Sequence, residues 1–171
     1  MANKVYYNIF QTEYGWMGIL GSKAGLLSVT LPQTSRQQIV ENWGESAEGA
    51  VFLPQFFGDL QQRFQEYYAG KKTDFPVELD YSRCTVFQKQ VLETTRRIPY
   101  GESRSYGWVA QQIGKPKAAR AVGGALHKNP FLIIVPCHRV IAGDGSLCGF
   151  VGGLPMKKQL LDMEKTIERM N

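Results

Sequence analysis

The chain has 171 residues, of which 43% are hydrophobic, 20% charged and 12% aromatic, and it carries a formal net charge of +5. That length allows one ordinary domain or two small ones, and the composition excludes a disordered or fibrous chain. No apolar run approaches the ~20 residues a spanning helix needs, so no membrane segment is expected. The start, Met1-Ala2-Asn3-Lys4-Val5-Tyr6, lacks the apolar centre of a signal peptide, and a cytoplasmic location is expected. Cys84, Cys137 and Cys148 are an odd set without paired spacing, which argues against a disulfide framework and fits a reducing compartment. With His127 and His138 as the histidines and no Cys-x-x-Cys, no metal is expected.

The charge is unevenly spread. Residues 1–81 hold 6 Lys and Arg against 9 Asp and Glu, a net of −3, whereas residues 82–171 hold 14 against 6, a net of +8. A basic half on an otherwise balanced chain is the footprint of a polyanion partner. The division expected is a scaffold domain over 1–81 and a domain that binds the polyanion over 82–171.

In chain order, Tyr6–Phe10, Trp16–Leu20 and Leu26–Leu31 are short apolar runs separated by Gly15, Gly21 and Gly25, which predicts three strands of an antiparallel meander. Ser35 is placed to cap a helix from Arg36 to about Trp43, and Gly44 to Gly49 reads as a polar loop. Phe56, Phe57, Leu60, Phe64 and Tyr67 form a helical stripe that predicts a helix over Phe52–Tyr68, ended by Gly70 and covering the sheet. Lys71 to Ser82 reads as extended. Thr85-Val86-Phe87-Gln88 is a capping box, opening a helix that buries Phe87, Val91, Leu92 and Ile98 and ends before Pro99. Ser105 caps a helix through about Ile113, and Pro116 opens another through about His127, together a helix-turn-helix candidate. Gly123 and Gly124 inside that helix cost about 1 kcal/mol each relative to alanine. Close approach to another backbone or to DNA is the reason expected.

Asn129-Pro130 then turns the chain into Leu132-Ile133-Ile134-Val135, a short apolar run that predicts a buried strand delivering Cys137 to a fixed point. Gly143-Asp144-Gly145 is a tight turn, Leu147–Leu154 a glycine-rich loop, and about Pro155–Arg169 a helix burying Leu160, Leu161 and Ile167. The fold class is therefore α+β: a small N-terminal antiparallel sheet with helices, then a mostly helical C-terminal domain containing the helix-turn-helix.

Val135-Pro136-Cys137-His138-Arg139-Val140, with its flanks from about Thr85 to Glu164, resembles the active-site signature of the O6-alkylguanine-DNA alkyltransferases. The resemblance implies single-turnover repair, in which an alkyl group moves irreversibly from a flipped guanine onto the protein's cysteine. It assigns Cys137 as nucleophile, His138 as base acting through a water, Glu164 as the group orienting it, and Asn129 as the residue fixing the loop. Tyr106 would donate to the guanine N3. Arg120 would enter the base stack from a helix in the minor groove, with Ala119 beside it, while Gln88, Lys115 and Gly143 hold phosphates. Leu126, Leu132, Phe150, Val151 and Gly152 would wall the base pocket, in which the backbone carbonyls of Cys137 and Val140 would accept from the guanine amino group. No cofactor is implied. The partner implied is double-stranded DNA containing O6-alkylguanine, bound by a monomer that is nucleoid-associated when on DNA.

Cys148 stands where the family usually has glycine and Val151 where it has a small or hydroxylated residue; the tolerated alkyl size therefore remains open. Alkyltransferase-like lesion binders lack the cysteine that Cys137 supplies. A plain helix-turn-helix regulator would not explain the Cys-His-Arg stretch or Glu164.

Overall fold

The computed structural model describes residues 3–170, with side chains through Lys165. The chain forms two compact units, one reaching to Ser82 and including Pro130–Leu132, the other made of Arg83–Asn129 and the chain from Ile133 onward.

In the first unit β1 (Tyr6–Thr12), β2 (Gly15–Ser22) and β3 (Gly25–Val29) form the expected meander. A fourth strand, β4 (Val51–Phe52), pairs parallel with β1, giving the order β3-β2-β1-β4. Nothing in so short a run marks it as a strand in sequence. Side chains alternate between the faces of the sheet. Ile9, Leu20 and Leu27 pack against Ile39 and Trp43 of α1 (Arg36–Trp43). The Ser35 hydroxyl caps that helix, accepting from Gln38 N–H at 3.2 Å. A Cβ on Gly18 would lie 2.5 Å from both Ile39 and Trp43, so glycine is what admits the helix.

On the opposite face Phe10 meets Phe64 of α2 (Leu60–Tyr68), their ring centroids 6.2 Å apart. Burying Phe64 and Tyr67 contributes on the order of 2–3 kcal/mol each. The helix expected over Phe52–Tyr68 is shorter than its stripe. Pro54–Phe57 is a 3-10 turn, Gly58 (φ 57°) ends it, and Phe56 stacks on Tyr6 at 37% exposure rather than joining the core. A positive φ cannot continue a right-handed helix.

The second unit contains α3 (Val86–Arg96), β5 (Arg104–Ser105), α4 (Tyr106–Gln112), α5 (Ala119–His127), β6 (Val140–Ile141) and α6 (Leu154–Met170). Thr85 and Gln88 make the expected reciprocal cap, with Thr85 N–H donating to Gln88 Oε1 at 2.8 Å. Ser105 caps α4 by accepting from Trp108 N–H at 2.9 Å. α5 packs on α3 and α4 through Val122, Ala125 and Leu126. It begins at Ala119 rather than Pro116, because Pro116-Lys117 form a turn closed by Ala118 N–H to Lys115 O at 2.9 Å. The burial expected of Ile167 lies outside the described side chains.

The strand expected over Leu132–Val135 is absent. Phe131 bridges Val29, Ile133 and Ile134 turn, and Val135 leads into Pro136. Ile133 has φ 73° and is, among the described residues, the one non-glycine with positive φ. Its Cβ branch makes this a strained conformation, of order 1–3 kcal/mol. All four residues are buried, so the apolar run reported burial correctly and conformation wrongly.

Candidate active site

Cys137 does not sit on a strand; it opens a 3-10 turn, Cys137–Arg139. Pro136 has φ −79° and ψ 66°, and Cys137 N–H reaches back to Val135 O at 2.8 Å, an inverse γ-turn. The Asn129 side chain donates to the same Val135 carbonyl at 2.9 Å, pinning the turn from the end of α5. β6 follows directly and pairs parallel with β5, Ser105 opposite Ile141. This two-residue ladder sets the start of α4, and therefore Tyr106, beside the Cys137 turn.

The sulfur-bearing residue is 7% exposed and lines a cleft of about 720 Å³ whose other walls include Tyr106, Arg120, Gly123, Leu126 and Phe150. That volume suits a flat ligand of purine size. Burial pushes the Cys137 thiol up from its ordinary value; Asn129 and then Lys157 oppose the shift. The thiol is therefore protonated at neutral pH, and reaction requires a base.

His138 is fully buried, and its Nε2 lies 2.7 Å from Glu164 Oε1. Burial outweighs the carboxylate and holds the imidazole below its ordinary range, so it is neutral at pH 7. Burial alone would raise the Glu164 carboxyl, but the hydrogen bonds and charges of His138 and Arg139 outweigh it and hold the group down to about 2, against an ordinary 4.5. An ionised carboxylate only accepts, so Nε2 is the donor and Nδ1 carries the lone pair of a base. Arg139 completes the cluster. Its Nε and NH2 groups each meet a Glu164 oxygen at 2.9 Å, and its NH1 donates to Ile98 O at 2.7 Å. Such a two-pronged pair fixes the carboxylate in one orientation.

Sequence reasoning missed two of these groups. Arg139 was read as part of a motif and given no task. Lys157 was not singled out, yet it is fully buried, with Nζ donating to Val140 O at 2.7 Å and to Cys148 O at 2.8 Å. It also lies 3.4 Å from the Tyr106 hydroxyl, which donates to Cys148 O at 3.1 Å. A signal for it existed: Lys157, Leu160, Leu161 and Glu164 fall at i, i+3, i+4 and i+7, the buried stripe of α6.

Of the candidate residues, Cys137, Tyr106, Ala119, Arg120, Leu126, Gly143, Phe150 and Val151 line the cleft, and His138, Glu164 and Asn129 support it. Leu132, Val140 and Gly152 do not line it. Leu132 groups with the first unit, and the Val140 carbonyl is held by Lys157. Gln88 is engaged in its cap, and Lys115 lies 5.2 Å from the Phe87 ring; neither reaches the cleft. Of the reasons expected for the two glycines, packing within the protein falls away. A Cβ on Gly124 would meet nothing within 4 Å, and one on Gly123 would make an ordinary 3.7 Å contact with Tyr106. Among the described residues no cluster could hold a metal.

A recessed thiol with an imidazole–carboxylate pair behind it, opening on a purine-sized cleft beside an exposed arginine, defines a protein that reacts through a cysteine of its own. Comparison with known proteins gives that class its particular chemistry. The family described as 6-O-methylguanine DNA methyltransferase, DNA binding domain, matches residues 86–166. The methylated-DNA–protein-cysteine methyltransferase of Methanosarcina acetivorans is 40% identical over 161 residues, covering 94% of this chain and 98% of the relative. The crystal structure of Mycobacterium tuberculosis OGT in complex with DNA superposes with TM-score 0.78 at 41% identity, covering 94% of this chain and 93% of that one. The O6-methylguanine-DNA methyltransferase of Pyrococcus kodakaraensis superposes at 0.70 with 27% identity, covering 94% and 98%. The chain belongs to the methylated-DNA–protein-cysteine methyltransferase family.

Proposed function

We propose that this protein repairs O6-alkylguanine in duplex DNA by transferring the alkyl group to Cys137, with His138, Glu164, Tyr106 and Asn129 as supporting residues. The observation that carries the reading is Cys137 lining the cleft, followed at once in the chain by His138, whose Nε2 meets the Glu164 carboxylate at 2.7 Å. His138 Nδ1 takes the thiol proton through a water, and Glu164, anchored by Arg139, keeps the ring in the donating tautomer. The thiolate attacks the alkyl carbon, a C–S bond forms, and the C–O6 bond breaks. Guanine leaves with the electron pair, and Tyr106 O–H, turned from the Cys148 carbonyl to the bound base, donates to its N3. Lys157, next to that hydroxyl, strengthens the donor. A thioether has no route back to thiol, so each molecule acts once.

An alkyl carbon inside a stacked duplex lies out of reach of a recessed sulfur, so the nucleotide must be flipped. α4 and α5 act as a helix-turn-helix, with α5 in the minor groove. Its outward residues Arg120, Ala121 and Gly124 present one long side chain among very small ones. Arg120 fills the gap left in the stack. Ala119, beside it, is small enough for the close approach, Gln88, Lys115 and Gly143 hold phosphates, and Leu126, Phe150 and Val151 wall the base. The acidic first unit serves as scaffold. The protein works as a monomer in the cytoplasm, on the nucleoid when DNA-bound; among the described residues no helix is long and apolar enough to cross a membrane.

The test is peptide mass analysis after incubation with duplex DNA carrying O6-methylguanine. One methyl group on the Cys137 peptide is expected. Intact DNA binding with an unmodified protein would overturn the transfer reading in favour of a lesion binder.

A further inference from the structure

Cys148 is exposed and lines the same cleft as Cys137. One ammonium links their surroundings: Lys157 Nζ holds the Cys148 carbonyl at 2.8 Å and, at 2.7 Å, that of Val140, which ends the turn opened by Cys137. Tyr106 holds the Cys148 carbonyl from its other side at 3.1 Å. Residues 146–150 have no regular secondary structure, and Gly149 follows the cysteine with φ 25°. The backbone carrying the second thiol is therefore held by two side chains rather than by a ladder or helix, and it has a glycine on which to turn. A disulfide needs Cα atoms about 4.4–6.8 Å apart; the two cysteines line one cleft, one on a 3-10 turn and the other on this segment without regular structure.

We propose that Cys137 and Cys148 form a reversible redox pair: a hydroperoxide converts them to a disulfide that closes the cleft and suspends alkyl transfer until a thiol reductant reopens it. Peroxide reaches the exposed Cys148 first. Its thiolate attacks one peroxide oxygen, the O–O bond breaks, and the departing hydroxide takes a proton to become water. Cys148 is then a sulfenic acid. His138 draws the Cys137 proton through a water, as in alkyl transfer, the thiolate attacks that sulfur, the S–O bond breaks, and the departing hydroxide takes up that proton. Two thiols and one peroxide thus yield one disulfide and two waters. The pair spares the nucleophile from the sulfinic and sulfonic states, which reductants do not reverse. A protein that uses its cysteine once gains from keeping it intact until a lesion is met.

The experiment is oxidation of the whole protein with hydrogen peroxide in the absence of DNA, read first by intact mass without reductant. A monomer lighter by two hydrogens is expected, with a Cys137–Cys148 linked peptide after digestion, and Cys84→Ser should give the same product. Alkyl transfer should fall at least about tenfold and return with dithiothreitol. In Cys148→Ser the loss should persist after reductant, relative to that variant's own untreated activity, with sulfinic acid on Cys137. A bridge through Cys84, a disulfide between chains, or equal recovery in Cys148→Ser would each overturn the proposal. The mass readout does not depend on alkyl transfer, so failure of the repair assignment would be seen separately.

Discussion

Glu164 concentrates the chemistry of the site in one side chain. Its carboxylate accepts from His138, from two nitrogens of Arg139 and, at 3.4 Å, from Gly101 N–H, all without exposure to solvent. Replacing it with glutamine keeps the shape, but leaves the Arg139 charge buried and uncompensated. A stability loss of about 3–5 kcal/mol is expected by chemical denaturation, with slower alkyl transfer in whatever folds. Arg139→Met in the same background should recover part of that stability, because it removes the stranded charge.

The pH dependence follows from the same cluster. Glu164 is depressed from 4.5 to about 2, so its contribution is complete above pH 4.5 and drains away as pH falls towards 2. Its size is on the order of 3 kcal/mol. His138 is also depressed, by burial, so keeping it neutral begins to cost stability as pH drops below 6.5. Both act in one direction. Thermal stability should decline on acidification from about pH 6.5 and steepen below 4.5; a flat profile between pH 6.5 and 4.5 would contradict the burial of neutral His138, and no steepening below 4.5 would contradict the pairing of Glu164. Reaction with a free base analogue should instead accelerate above neutrality, since burial raises the Cys137 thiol and thiolate is the reactive form.

At the scale of single elements, α5 carries the sharpest expectation. Gly124 lies in a helix interior with open space where a Cβ would go, so Gly124→Ala should stabilise the fold by about 1 kcal/mol. It should nevertheless weaken repair of duplex DNA, because under the proposed docking of α5 the added methyl group would face the DNA groove. Gain of stability without loss of duplex repair would show that the glycine has no part in DNA approach. Arg120→Ala tests the same face by another route. It should reduce repair in duplex at least about tenfold, as flipping costs a few kcal/mol, while leaving the free base analogue nearly unaffected. Equal losses on both substrates would refute a role in flipping.

At the scale of the molecule, the net −3 of residues 1–81 and +8 of 82–171 predict that DNA binding belongs to the second unit and is strongly salt-dependent. The logarithm of affinity should fall against that of salt with a slope of about −0.9 per phosphate neutralised. A slope near zero would remove the basic half from any account of DNA binding. The sequence determined by itself whatever is decided within a few residues. The caps at Ser35, Thr85 and Ser105, the three-strand meander and the Cys137-His138-Arg139 stretch all announce themselves in local patterns of hydroxyls, glycines and apolar period. Only the tertiary structure decided the rest. It turned Leu132–Val135 into a strained reversal rather than a strand, paired β4 with β1, and made Lys157 and Arg139 parts of the site. The reason is that a short apolar run encodes burial without specifying a partner. The bonds that matter here, Arg139 to Ile98, Glu164 to Gly101 and Lys157 to Val140, join residues far apart in the chain, and such pairings leave no trace in local periodicity.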